Sequence, residues 1–251
     1  MNNTAVFIND SPIIIDHSIP AIGYISRNTP IGPEKKLVDS FLSAYLSRLH
    51  SNVLKTIVFL EPHIDSGYPD IVVVRYKNAS RCLWRESHLS LTNIHFKVLF
   101  EVGRRKTISI SRLSQQTGLE LGRLNRIIRE LVECRLVVIS KRSVQRIALD
   151  DYFCVKEIVC FEAKIAKWQE AISQALLNTR FATESYILMD CNESSEEMVN
   201  RCKALGVGIY LMNGRIHKDL VAHKQNQPVT YASYLINEIV LRINHLGGIH
   251  I

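Results

Sequence analysis

The feature that most constrains the fold is an interruption. Outside residues 77–156 the chain reads as helix, strand, strand, strand, helix, strand, helix, strand. That order predicts an α/β sandwich built on a mixed sheet with flanking helices. Pro33 and Glu34 open the leading helix. Val38, Phe41, Leu42, Tyr45, Leu46 and Leu49 then recur at helical spacing, with the proline in the first turn. Residues 53–60 (VLKTIVFL) and 70–76 (DIVVVRY) are β-rich runs, and EPHIDSGYP between them carries the Gly and Pro of a turn. Residues 157–165 (EIVCFEAKI) form the next strand. A helix over 166–179, a strand over 186–189, a helix over 195–205 and a strand over 207–212 follow. Asn213-Gly214 is a two-residue hairpin signal. The last helix covers 231–246, where Leu235, Ile239, Ile243 and Leu246 recur at helical spacing. Residues 1–30 read as irregular or as a short strand.

The interrupting segment has its own pattern. Residues 91–102 predict a helix. Residues 110–116 predict a second, closed by Thr117-Gly118, and 120–135 a third, striped by Leu121, Leu124, Ile128 and Leu131. Two short runs, 136–140 (LVVIS) and 144–149 (VQRIAL), flank a basic tip at 141–143. Three helices and a β-hairpin in this order resemble a winged helix-turn-helix. The domain boundaries expected are therefore 1–78 and 155–251 for the two parts of the sandwich, with 79–154 inserted.

Charge sharpens this division. The net charge is +7, and between positions 88 and 150 there are 12 Lys and Arg against 5 Asp and Glu. The rest of the chain is balanced. A field confined to one module suits a phosphate backbone. The winged-helix resemblance implies that Arg123, Asn125 and Arg126 on the third helix read bases or phosphates. Lys141 and Arg142 at the wing tip, with Arg104, Arg105 and Lys106 before the second helix, would touch phosphates. The expected partner is DNA, double-stranded, with structured RNA left open. Winged helices also serve as dimerisation or protein-docking modules.

The sandwich carries a different constellation. Side chains alternate along a strand, so Glu162 and Lys164 share a face. Burying them beside Ile158 and Cys160 is costly unless they are paired or hold a metal. Asp70 heads a strand that is otherwise almost wholly apolar. Pro69-Asp70 followed by Glu162-Ala163-Lys164 resembles the PD-(D/E)xK nuclease superfamily, the restriction-endonuclease-like fold, and the element order agrees outside the insert. The resemblance implies that Asp70 and Glu162 bind Mg²⁺ (or Mn²⁺) and that Lys164 orients or helps deprotonate the attacking water. It implies further that Glu34 supplies an additional acid and that Gln169 or Gln174 stands beside the site. One departure is the spacing: Asp70 and Glu162 lie 92 residues apart, where short connections are the norm in compact domains. The inserted winged helix would account for that gap.

Other classes are disfavoured. No P-loop and no nucleophile-elbow signature occurs. The six cysteines form no C-x-x-C pair, which argues against structural zinc and for reduced thiols. The first residues lack a basic n-region and a long apolar run, and no stretch approaches the roughly 18 apolar residues of a membrane span. A cytoplasmic location is expected. The reading is a metal-dependent DNA endonuclease. Its rivals are a non-catalytic DNA-binding regulator on a nuclease-like scaffold and a subunit of a larger nucleic-acid-processing complex. With one site per chain, cutting both strands of a duplex would favour a homodimer.

Overall fold

The computed structural model describes residues 12–28, 31–49, 53–64, 67–77 and 79–246. In chain order the elements are β1 (Ile13–Ile15), α1 (Pro33–Leu46), β2 (Lys55–Leu60), β3 (Ile71–Tyr76), α2 (Asn93–Arg105), β4 (Thr107–Ser109), α3 (Ile110–Thr117), α4 (Leu121–Glu133), β5 (Val137–Ser140), β6 (Ser143–Arg146), β7 (Val155–Lys164), α5 (Trp168–Asn178), β8 (Glu184–Met189), α6 (Glu196–Leu205), β9 (Gly208–Met212), β10 (Ile216–Leu220) and α7 (Tyr231–His245). They divide into two units, each assembled from two stretches of chain. One takes the described residues of 12–77 and 155–229; the other takes those of 79–154 and 230–246.

The first unit is a seven-stranded mixed sheet in the order β1-β2-β3-β7-β8-β9-β10. β2, β3 and β7 are antiparallel neighbours, whereas β7, β8 and β9 run parallel through helical crossovers. The central strands are buried on both sides, which explains their nearly unbroken apolar sequence. One face packs on α1 through Leu37, Val38, Phe41 and Leu42. The other packs on α5 and α6, where Ala171, Ile172, Ala175, Met198 and Cys202 meet Ile187, Met189, Ile209 and Leu211. Gly208 is required by close approach: a Cβ there would lie 2.2 Å from the Tyr186 ring and 2.7 Å from the Ala222 amide.

The second unit holds the three helices and wing expected of the inserted segment. Thr92 and His95 form a capping box at α2. Ser109 caps α3, and Gly118 ends it with φ 67°. Leu124, Ile127, Ile128 and Leu131 put the buried stripe of α4 against the core. The wing is a three-stranded sheet, β4-β6-β5.

The structure also changes several expectations. α7 belongs to the second unit and not to the sandwich, so the predicted 155–251 part divides at Val229. The placement is apolar and polar together: Tyr234 packs on Phe100 and Phe153, and the fully buried Glu238 finds partners in the inserted segment. Its Oε1 accepts from Trp84 Nε1 and Arg242 Nε, each at 3.0 Å. Its Oε2 accepts from Tyr152 Oη at 3.0 Å and faces His88 Nδ1 at 3.2 Å. Asn237 is tied on the same side, donating to the Tyr152 carbonyl at 3.0 Å. β4 had no counterpart in the expectation, whereas β1 is the short strand allowed within residues 1–30 and β10 the partner implied by the hairpin signal. β1 pairs parallel with β2, β4 completes the wing sheet, and β10 follows the Asn213-Gly214 turn. The reading of residues 1–11 lies outside the described residues.

Candidate functional site

The site begins with register. Leu60 pairs with Ile71, and Ile71 with Phe161. Continuing both ladders by one rung sets Glu61, Asp70 and Glu162 abreast across three adjacent strands. The Glu61 amide donates to the Asp70 carbonyl at 3.1 Å. The Ala163 amide donates to Asp70 Oδ2 at 2.7 Å. The two halves of the predicted motif are thus neighbours although 92 positions apart in the chain.

Each acid is held by a particular neighbour. Glu162, 3% exposed, accepts from Asn178 Nδ2 of α5 at 2.6 Å. Lys164 Nζ makes a 3.3 Å ion pair with Glu34 Oε2 in the first turn of α1. Glu61, 4% exposed, takes both Nε and Nη2 of Arg27 on Oε2. Asp70 Oδ1 and Glu162 Oε2 have no hydrogen-bond partner among the described residues.

The electrostatics follow from burial and crowding. Burial, with the charge of Asp70 beside it, pushes Glu162 up to about 8 against the opposing help of Asn178 and Lys164. Asp70 is raised by burial and by Glu34, although the Ala163 amide and Lys164 pull the other way. Glu61 is raised by burial and then by Asp70, with Arg27 opposing. Burial first and the crowding of acids second thus disfavour the charged carboxylates at these strand ends.

The donor chemistry fits a hard divalent cation. Two adjacent carboxylates, each with one oxygen free of protein partners, match magnesium, which keeps several waters and takes one or two carboxylates. Among the described residues no three His, Cys, Asp or Glu side chains stand together as a ready-made metal cage, so the remaining ligands would be solvent or substrate oxygens.

Asp70, Glu162, Lys164 and Glu34 come together as the sequence suggested. Gln169 and Gln174 do not. Both are exposed on α5, and Gln169 lines an outer groove of about 710 Å³ with Trp168, Ser173 and Arg201. Helical rotation explains this. The inward face of α5 carries Ala171, Ala175 and Asn178, and Asn178 is the amide that meets the acid. Glu61, Arg27 and Asn178 were missed. Glu61 had a readable signal, because it closes an apolar strand as Asp70 opens the next one.

The winged module displays its basic residues in the expected places. Arg123, Asn125 and Arg126 are exposed on α4, away from its buried stripe, and Arg129 continues the row. Lys141 and Arg142 are exposed at the β5–β6 turn, where Lys141 adopts φ 55°. Arg104, Arg105 and Lys106 are exposed at the end of α2. Arg104 is partly engaged, pairing with Glu101 at 3.5 Å.

Comparison with known families decides the character of this module. Residues 91–138 match the family described as winged helix-turn-helix DNA-binding. The chain thus contains a winged helix-turn-helix DNA-binding module within a mixed α/β protein. No curated protein and no solved structure matches the chain. Among the described residues no helix is long and apolar enough to cross a membrane.

Proposed function

We propose that this chain is a metal-dependent DNA endonuclease of the PD-(D/E)xK type whose winged helix engages duplex DNA. One observation carries the reading: Asp70 and Glu162 stand on the same rung of adjacent strands, in mutual electrostatic contact and beside Lys164. Asp70 and Glu162 would hold Mg²⁺ or Mn²⁺. When bound, such an ion polarises the phosphodiester and lowers the pKa of an attacking water. Lys164 orients that water and offsets charge on the phosphate. Glu34 positions the Lys164 ammonium through their ion pair. Asn178 fixes the Glu162 carboxylate, leaving its second oxygen for the ion. Cleavage of both strands would bring two copies, or a partner subunit, to one duplex.

A second reading draws on a specific feature. Asp70, Glu162 and Lys164 each already have a protein partner, as suits a DNA-binding regulator that keeps the scaffold without hydrolysis. Plasmid cleavage with Mg²⁺ or Mn²⁺ separates the two. The endonuclease reading expects nicking or linearisation by the wild type and none by Asp70→Ala or Lys164→Ala. Equal behaviour of all three proteins rejects the site.

A further inference from the structure

Beside the acid rung lies a cation whose setting neither the motif nor the winged helix accounts for. Residues 25–27 run antiparallel to 61–63: the Arg27 amide donates to the Glu61 carbonyl at 3.0 Å, and the His63 amide to the Ile25 carbonyl at 2.8 Å. Ser26 bridges Pro62 between them. This pairing is accompanied by a left-handed backbone at Glu61, φ 48°, a conformation that is strained for a non-glycine residue. Arg27 is thus fixed three ways. Its amide is in the ladder, its Nε and Nη2 grip the buried Glu61 carboxylate, and its Cζ lies 5.2 Å from the centre of the Tyr68 ring. The His63 ring sits on the other partner of that stack, 4.9 Å from Tyr68.

Half of the Arg27 side chain nevertheless faces solvent: it is 54% exposed, whereas the Glu61 side chain it grips is buried. Nη1 has no protein partner among the described residues. A surface arginine gains little from an ion pair and loses rotamer freedom in making one. Here the carboxylate is buried and the aromatic ring supports the flat guanidinium, so the exposed edge is held in one orientation. That is what binding of an oxyanion requires, because the guanidinium fork pairs with phosphate through fixed donors. Arg27 is also close enough to Asp70 for its charge to act on that carboxylate.

We propose that Arg27, braced by Glu61 and stacked on Tyr68, binds a backbone phosphate of the nucleic acid and so places the strand at the acid rung. Its location rests on the endonuclease reading; its phosphate chemistry does not. Tyr68 and Glu61 are positioning residues, acting through the guanidinium. The exposed Tyr68 ring lies beside the guanidinium, with the exposed His63 ring next to it.

The experiment measures affinity of the full chain for a labelled duplex by fluorescence anisotropy across a KCl series, without Mg²⁺ or Mn²⁺. One phosphate contact contributes about 0.9 to the slope of log affinity against log salt. Arg27→Met is expected to lose about that much slope and about tenfold in affinity at low salt. Arg27→Lys keeps the charge and is expected to retain the slope. Arg27→Met leaves Glu61 buried without its partner, so the double variant Arg27→Met with Glu61→Gln guards against misfolding. It is expected to show the same loss of slope. A wild-type slope in that folded double variant overturns the proposal, as does a wild type that binds no duplex. Cleavage is scored separately. A wild type that cuts nothing with Mg²⁺ or Mn²⁺ rejects the endonuclease reading, while the salt slopes still decide Arg27.

Discussion

Two buried glutamates in this chain have opposite fates. Glu162 and Glu238 are 3% and 0% exposed, so burial penalises both as carboxylates. Glu238 answers that penalty with donors on every side: Trp84, His88, Tyr152 and Arg242. Burial alone would raise it, yet the His88 hydrogen bond and the neighbouring Arg242 hold it below the usual carboxylate range. Glu162 has one amide, a lysine already paired with Glu34, and a second acid beside it. It is pushed up to about 8. The lesson is that one carboxylate is satisfied by the fold and the other is not. A structural acid is surrounded by its own donors, whereas Glu162, the acid the proposed function would give to a cation, has one amide donor and an acid beside it.

The contrast can be broken most sharply by removing the acid next to Glu162. Asp70→Ala is expected to reduce Mg²⁺-dependent cleavage by about 10⁴-fold, which corresponds to about 5.5 kcal/mol of barrier. Steady-state rates on supercoiled plasmid measure this, and a variant within tenfold of wild type would reject Asp70 as a metal ligand. Glu238→Ala should instead act on folding. It strands His88 and Arg242 inside the second unit and is expected to cost about 3–5 kcal/mol, read from urea unfolding. DNA affinity should fall along with that stability.

pH sharpens the comparison further, because the two shifts have opposite signs. A carboxyl raised in the folded state binds its proton more tightly there than in the unfolded chain. Stability without metal is therefore expected to decline as pH rises from about 4.5 towards 8. Glu162→Gln should flatten that decline, and added Mg²⁺ should offset it in the wild type. Glu238 behaves in reverse. Its contribution is present above the unfolded pKa and is lost as pH falls through the lowered folded value. Thermal unfolding over a pH series tests both, and a parallel response of the two variants would dissolve the distinction. The smallest effect is on binding. Arg123→Ala with Arg126→Ala should weaken duplex affinity about tenfold and lower the salt slope by about 1.8 if both touch phosphate. An unchanged slope would turn attention to protein docking by the same helix.

What could be read in advance follows the range of the interactions involved. The strands β2, β3 and β7 are buried on both faces, so their apolar runs announced them. The Asp70–Glu162 partnership was legible because a strand headed by an acid and a strand ending in E-x-K join at one sheet edge only if they are neighbours. Short, exposed β10, with His217, Lys218 and Asp219 along it, gave no such run. Gln169 was assigned to the site because its type suited the resemblance, and only the rotation of α5 decides that Asn178 takes that position. Arg27 was invisible, since its value depends on pairing with residues 34 positions away and on a left-handed glutamate. The apolar stripe of α7 announced a buried helix without saying which core it enters. That choice shows in contacts with residues far back in the chain, those of Glu238 with Trp84, His88 and Tyr152 and of Tyr234 with Phe100 and Phe153.

The placement of α7 has a consequence for how the molecule is made. The DNA-binding unit cannot close its buried polar knot until translation has passed residue 242, well after the sheet's last strand has emerged. A chain ending at Val229 would keep every strand of the sheet and both halves of the acid rung, yet strand Trp84, His88 and Tyr152 without their carboxylate. A late stop codon would therefore strike DNA recognition first and leave the seven-stranded sheet assembled.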